Sequence, residues 1–402
     1  MRITLILALA ASTALAGQIG LAQAADPIKI GLSGPFTGGS ASMGVSMRDG
    51  VKLAAAEINK AGGVLGRPLL LIERDEEAKN EVGVQVAQEL INKEKVVATL
   101  GFINTGVALA SQRFYQEAEI PVINNVATGT AITGQFKAPE FKANYVFRTS
   151  ANDLIQSGMI AAEAIAQGFK KPAILADSTN YGQLGRDDLE RALKAKNVTP
   201  VASEKFNIGD TDMTAQLLRA KQAGADVILT YAIGPELAQI ANGMAKLGWK
   251  LPLIGSWTLS MATFVDNAGA NGDGAMMPQT FIQTPSTPKR RDFIAAYQAA
   301  YKVDRIPVPV SAAQGYDSVY LLAAAITQAK STDGPKIRAA LENLDTKVEG
   351  VVTTYDHPFS PTDHEAISAN IPVFGIVKAG RILPVHPEDL AGDKAIRIKP
   401  KA

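Results

Sequence analysis

The sequence contains no cysteine in 402 residues. A thiol nucleophile, a Cys-ligated zinc or iron–sulfur centre, a disulfide and a lipidated N-terminal cysteine are therefore excluded. Histidine is nearly as scarce, with His357, His364 and His386 the complete set. Charge of one sign is lacking as well: 40 Lys and Arg stand against 39 Asp and Glu, a formal net charge of +1. Holding a nucleic acid by charge needs a basic excess or a basic stripe interleaved with aromatics. Neither is present, so no nucleic-acid partner is expected. Catalytic signatures are missing too: there is no G-x-S-x-G, no GxxxxGK followed by Ser or Thr, and no HExxH. Gly31, Gly34, Gly38 and Gly39 do not complete a G-x-G-x-x-G. They read as a loop whose backbone approaches a ligand or another segment. No catalytic residue and no cofactor is expected.

Two polar stretches invite a functional reading and receive a plain one. Asp356 to Glu365 (DHPFSPTDHE) carries oxygen and nitrogen donors. Pro358 and Pro361 deny it the helical i, i+4 spacing of a metal pair, so it is read as a solvated turn with no metal. Asp75-Glu76-Glu77 is read as an exposed charge run at a strand end.

What is present begins with an address. Residues 1–24 open with Arg2, continue as an Ala/Leu-rich run and end at the small-x-small pattern Ala22-Gln23-Ala24. That is a secretory signal peptide, because Ser12, Thr13, Gly17, Gln18, Gly20 and Gln23 dilute the run below a membrane anchor. Cleavage after Ala24 removes Arg2 and leaves balanced charge. The expected location is the periplasm, reached through this cleavable signal. Balanced charge and the absence of a later long apolar run fit a soluble monomer.

With 47% hydrophobic and 20% charged residues, the remainder has the balance of a folded protein. At roughly 150 residues per domain, its length suggests two or three domains. Strand-like runs at 27–32, 69–74, 96–101 and 121–124 alternate with helical periods at 45–61, 79–93 and 106–118. Gly62-Gly63 stops the first helix. The pattern restarts around 145–150. Helices are then expected at 153–167, 182–196, 212–223 and 235–247, and strands at 173–176, 201–205, 227–231 and 253–255. Asp210-Thr211 are the capping candidates for the third of these helices. Helices at 288–302, 311–330 and 334–344 and strands at 351–355 and 371–377 complete the chain. Short apolar runs separated by helices imply parallel strands joined by βαβ crossovers. The fold class is α/β, with two doubly wound lobes between which the chain crosses more than once.

Polar and aromatic residues recur just after strands: Asn104 and Thr105, Thr128, Tyr181 and Trp257. In open α/β sheets the crevice beyond the carboxyl ends of the strands is where ligands sit, and hydroxyls and free N–H groups at helix starts suit a carboxylate. Any one of these residues could be an ordinary cap. Four points, two from each lobe, suggest a shared cleft.

Nearly the whole of the remainder resembles one family. The resemblance rests on IKIGLSGPFTGGSASMGVSMRDGVKLAAAEINKAGGVLGRPL (28–69), VVATLGFINTGVALA (96–110), IPVINNVATGTAIT (120–133) and YVFRTSAND (145–153). It continues through NYGQLG (180–185), DTDMTAQLLRAKQAGADVIL (210–229) and QGYDSVYLLAAAI (314–326). These segments are similar to the solute-binding proteins of branched-chain-amino-acid-type ABC transporters, the leucine/isoleucine/valine-binding group. The resemblance implies a type I periplasmic-binding fold, two lobes joined by a three-crossover hinge. The expected division is 25–147 plus 279–352 for the first lobe and 148–278 plus 353–402 for the second. It implies a small-molecule solute and an ABC membrane permease as partners.

It also implies ligand-binding roles. Thr105 and Thr128 match the carboxylate-binding hydroxyls, and the backbone around Ile103, Asn104, Val126 and Ala127 completes their site. Tyr181 matches the aromatic of the second lobe, Met43 a bulky residue of the first, and Ile233 a position often occupied by Tyr. Two departures stand out. Trp257 aligns with the Glu that pairs with a ligand ammonium in amino-acid binders. Losing that acid leaves a buried ammonium short of compensation by several kcal/mol, unless Glu236 or Asp177 supplies the charge. An aromatic wall instead favours an apolar or aromatic body, or a cation–π contact. Asn104 aligns with a half-cystine of some members, a loss of about 2–4 kcal/mol of stability. The expected function is capture of a small carboxylate-bearing solute, a branched-chain or other amino acid. An aromatic or amine-free organic acid is the alternative, and the same fold also serves ligand-sensing receptor subunits.

Overall fold

The computed structural model of the chain describes residues 26–401. The signal-peptide reading of residues 1–24 lies outside them. Two sheets organise the molecule. The first is built from β1 (Ile28–Gly34), α1 (Ala41–Lys60), β2 (Leu69–Asp75), α2 (Asn80–Glu89), β3 (Ala98–Gly101), α3 (Thr105–Glu117), β4 (Val122–Asn124) and β5 (Val146–Arg148). Its strands run parallel in the order β2-β1-β3-β4-β5. Ile30 pairs with Leu71 on one side and Ala98 on the other. Ile28, Ile30 and Leu32 are buried on one face, as are Gly31 and Ser33 on the other. Burial on both faces is what a parallel strand under two helical layers requires.

The second sheet follows as α4 (Asp153–Ala166), β6 (Pro172–Asp177), α5 (Asn180–Lys194), β7 (Ala202–Phe206), α6 (Thr214–Gln222), β8 (Val227–Tyr231), α7 (Glu236–Lys246), β9 (Leu253–Gly255), α8 (Ala262–Ala268) and β10 (Met276–Gln279). The chain then forms α9 (Pro288–Tyr301), α10 (Pro309–Ala329), α11 (Gly334–Glu342) and a small hairpin of β11 (Val348–Glu349) and β12 (Thr354–Tyr355). It ends in β13 (Val373–Lys378) and β14 (Arg381–Pro384), which extend the second sheet to the order β14-β13-β10-β9-β8-β6-β7. The last two strands are antiparallel additions to a parallel sheet.

α10 belongs to the first lobe. It packs on α1 at a distance that only glycine permits: a Cβ at Gly50 would lie 2.1 Å from the Ala312 carbonyl oxygen, and one at Gly315 would lie 2.6 Å from that of Met47. The chain therefore passes between the lobes after β5, after β10, and again before β13.

The structure corrects the sequence expectations at several points. β5 is the edge strand of the first sheet, not the opening of the second unit. The 351–355 strand is a hairpin whose turn spans 350–353, with the Gly350 N–H bonded to the Thr353 carbonyl. Asp210-Thr211 cap nothing: α6 begins at Thr214, whose N–H donates to Asp212 Oδ1. The stretch from Asp356 to Glu365 is not a solvated turn throughout. His364 is buried, stacks on Phe147 with ring centroids 4.0 Å apart, and shares a hydrogen bond with the Val146 carbonyl. Glu365 forms a parallel bridge with Arg148. This segment lies on the first lobe, which moves the third crossing beyond residue 353.

Asp75-Glu76-Glu77 is no exposed run either. Asp75 accepts from the N–H groups of Phe36 and Glu77 and from the Thr37 hydroxyl. Glu76 is wholly buried, and that burial pushes its carboxyl up to about 8.

Candidate functional site

α3 starts one residue after Asn104, and no side chain caps its first turn. Asn104 instead donates to the Ser40 hydroxyl at 3.2 Å. Thr105 Oγ1 accepts from the Gly129 N–H at 3.2 Å, which leaves the hydroxyl proton of Thr105 available to donate elsewhere. An uncapped helix start with a free hydroxyl proton is suited to an anion. The same bond ties α3 to the segment after β4. There Val126 and Ala127 both donate their N–H to the Phe102 carbonyl, and the Thr128 carbonyl accepts from the Asp153 N–H.

Tyr181 lies in the first turn of α5, which Thr179 caps by accepting from the Gly182 N–H. Its ring packs on Tyr231 with centroids 5.1 Å apart. Gly185 on α5 makes room for that second ring, since a Cβ there would lie 2.0 Å from Tyr231 Cδ1. Trp257 begins the 3-10 turn Trp257–Ser260 after β9, and its N–H donates to Gln156 Oε1 at 3.0 Å.

Met43, Ile103, Val126, Tyr181, Ile233 and Trp257 share one continuous cluster of buried apolar side chains that spans both lobes. The expected polar and aromatic residues do not line one common cavity but divide between two that share no lining residue. Asn104, Thr105 and Tyr181 line one cleft, of about 310 Å³, and Thr128 and Trp257 line a much smaller cavity, of about 10 Å³. Across the crevice the Thr130 hydroxyl donates to Asp188 Oδ2 at 2.7 Å. A broad depression of about 860 Å³ beside α8 and β14 holds none of the ten expected residues.

The acidic groups sort by their partners. Asp177 accepts from the Thr179 N–H and hydroxyl and from the Ile233 N–H, so its oxygens serve the loop. Glu236 Oε1 accepts from the Gly209 N–H. Sequence reasoning missed Asp153, which is completely buried between Thr128 and Tyr231. The Tyr231 hydroxyl donates to its Oδ1 at 2.8 Å, while Oδ2 has no partner among the described residues. Burial raises its carboxyl to about 7, against the opposing pull of the Thr128 and Tyr231 hydroxyls. The same burial holds Tyr181 well above the usual phenol range, with Asp153 adding to the rise.

Residues 27–381 match the family described as "Periplasmic binding protein". The chain belongs to the periplasmic binding protein family. A Pseudomonas aeruginosa relative, a "Leucine-, isoleucine-, valine-, threonine-, and alanine-binding protein", is 28% identical over 335 residues, covering 82% of this chain and 86% of the relative. A periplasmic binding protein type 1 from Bordetella pertussis superposes with a TM-score of 0.81 at 29% identity, covering 90% of this chain and all of the other. LivJ of Streptococcus pneumoniae, a branched-chain amino acid transporter substrate-binding protein solved with isoleucine, gives 0.78 at 25% identity, over 89% and 97%. The protein is thus a substrate-binding protein of the branched-chain-amino-acid transporter type and not an enzyme, on a type I periplasmic binding fold.

In this binding protein the cavity lined by Thr128 and Trp257 also draws in Ser150, Ala151, Gln156, Gln279, Thr280 and Gln314. Only their position between the crossing segments marks them out. In the sequence Gln156 and Gln314 are polar residues inside helical periods, which read as solvent-facing.

Proposed function

We propose that this protein captures a small carboxylate-bearing solute in the crevice, closes over it and delivers it to an ABC permease in the periplasm, after removal of residues 1–24. Lobes divided at the three crossing segments make the jaws. Thr105 and Thr128, with the backbone of Ile103 and Asn104, take the carboxylate, while Val126 and Ala127, whose N–H groups are spent on the Phe102 carbonyl, hold the second segment in place. Tyr181 and Trp257 cover the solute from the other lobe, with Met43 and Ile233 against its apolar body. The observation that carries this reading is the uncapped start of α3, where the Thr105 hydroxyl is fixed by Gly129 with its proton free. A ligand that touches both lobes favours the closed state by its differential affinity.

A thermal-shift screen of amino acids, keto acids and aromatic acids tests the reading. A true solute at a hundredfold excess over Kd stabilises by about 2.7 kcal/mol, and no response to any small carboxylate refutes it. In the same assay Thr128→Ala weakens the solute by about 1.5–3 kcal/mol through one lost charge-assisted hydrogen bond. Unchanged affinity removes Thr128 from the site.

Trp257 supports a second reading, an aromatic or other amine-free acid. It stands as an apolar wall where an amine would need an acid, and Asp177 is spent on loop N–H groups. An amine-bearing solute would depend on Asp153. Comparing each amino acid with its deaminated analogue separates the two readings.

A further inference from the structure

We propose that Gln314 reads a hydroxyl group on the solute, so that the protein selects hydroxy acids over their unhydroxylated counterparts. The inference rests on the carboxylate reading above and adds a second anchor at the other end of the same site. Gln314 lies on α10, is 1% exposed, and lines the cavity of Thr128 and Trp257. Its Nε2 donates to Thr280 Oγ1 at 2.9 Å, and its Oε1 has no partner among the described residues.

The neighbouring polar groups are already engaged. Gln156 donates to the Ala151 carbonyl and accepts from the Trp257 N–H. Gln279 donates to the carbonyls of Trp257 and Pro278. The Ser150 hydroxyl donates to the Ala127 carbonyl. The Thr128 hydroxyl lies against the Asp153 carboxyl, so Gln314 Oε1 is the side-chain end lining this cavity that has no partner among the described residues. A buried amide oxygen is costly to leave without a donor.

The chemistry of the lining narrows the donor. No ionisable side chain lines the cavity, so an ammonium or a second carboxylate placed there would be desolvated without a counter-charge. A neutral group fits. The Thr280 hydroxyl both donates and accepts, so the Gln314 amide can present either its oxygen or its NH₂ to the cavity. A hydroxyl satisfies both orientations, while a pure donor or a pure acceptor satisfies one. The cavity has about 10 Å³ of free space, room for one small group, so with the carboxylate at Thr105 and the apolar body outside it the solute's hydroxyl falls to Gln314.

Isothermal titration of the mature chain with five probes tests this: 4-hydroxybenzoate and benzoate, threonine and valine, and leucine. In whichever pair binds, the hydroxylated member binds about tenfold tighter or more. Gln314→Met brings the pair within about threefold, whereas Gln314→Glu, which keeps shape and hydrogen bonding as a protonated acid, retains the preference. Wild-type melting temperatures in both variants exclude a folding defect. Equal affinities within the pair, or a preference that survives Gln314→Met, overturn the inference. Binding of leucine with no response to either hydroxylated acid overturns it and leaves the carboxylate reading standing. Failure of all five to bind overturns both.

Discussion

Arg148 is the largest wholly buried side chain among the described residues, and its charge depends on one partner from more than two hundred residues along the chain. Its Nε donates to Glu365 Oε2 at 2.8 Å and its Nη2 to Oε1 at 2.5 Å, while Nη1 donates to the Gly129 carbonyl at 2.7 Å. The guanidinium thereby fixes the backbone beside Thr128 and pins the segment before the third crossing to β5. Glu365→Leu leaves a buried cation with a single neutral acceptor. Breaking a buried pair from one side costs about 3–5 kcal/mol. The Glu365 side chain is 16% exposed, so water entering from that side places the expected loss near the lower bound, about 3 kcal/mol. Removing both charges in Arg148→Met with Glu365→Leu takes away the uncompensated ion and leaves a loss of about 1–2 kcal/mol for two hydrogen bonds, that of Arg148 to the Gly129 carbonyl and that of the Thr133 hydroxyl to Glu365 Oε1. Urea unfolding of the ligand-free protein followed by circular dichroism measures both variants. A double variant as unstable as the single one, or more so, refutes the reasoning.

The remaining predictions concern the crevice. Asp153, raised by burial to about 7, binds a proton in the folded state between about pH 4 and pH 7 that the unfolded chain has released. Its contribution to stability therefore falls as pH rises through that window, by at most about 4 kcal/mol. Asp317, at about 6, and Glu76, at about 8, act in the same direction. Asp153→Asn flattens the decline measured by urea midpoints across this range, and an unchanged slope contradicts the assignment. Thr130→Val removes the cross-crevice bond to Asp188 and weakens solute binding about fivefold, close to 1 kcal/mol, by disfavouring closure; calorimetric titration reads this, and unaltered affinity means the bond does not bias closure. Trp257→Glu shifts preference toward amino acids over amine-free acids, and an unmoved preference refutes the placement of Trp257 against the solute.

Much of the lobe architecture was legible because parallel strands buried on both faces leave short apolar runs between helical periods, as in Ile28–Gly34 and Pro172–Asp177. The hidden parts have physical causes. β14 alternates exposed and half-buried residues and carries a proline, so it lacks the apolar run that announces a strand. Val351 and Val352 are buried because their N–H groups donate to Asp317 on α10, not because they pair in a sheet. Thr105, Thr128 and Trp257 stood out as candidates because each follows a strand at the end where ligands collect. Asp153, Gln156 and Gln314 did not. Each is a polar residue in or at the start of a helix, and its burial arises only when the two lobes and the crossing segments come together.

A crystal structure of the protein with the acid that raises its melting temperature most is the most direct measurement. The carboxylate should lie within hydrogen-bond distance, about 2.6–3.2 Å, of the Thr105 or Thr128 hydroxyl, with Tyr181 and Trp257 on the opposite side of the solute. An acid bound outside the crevice, or within it but turned away from both threonines, contradicts the account.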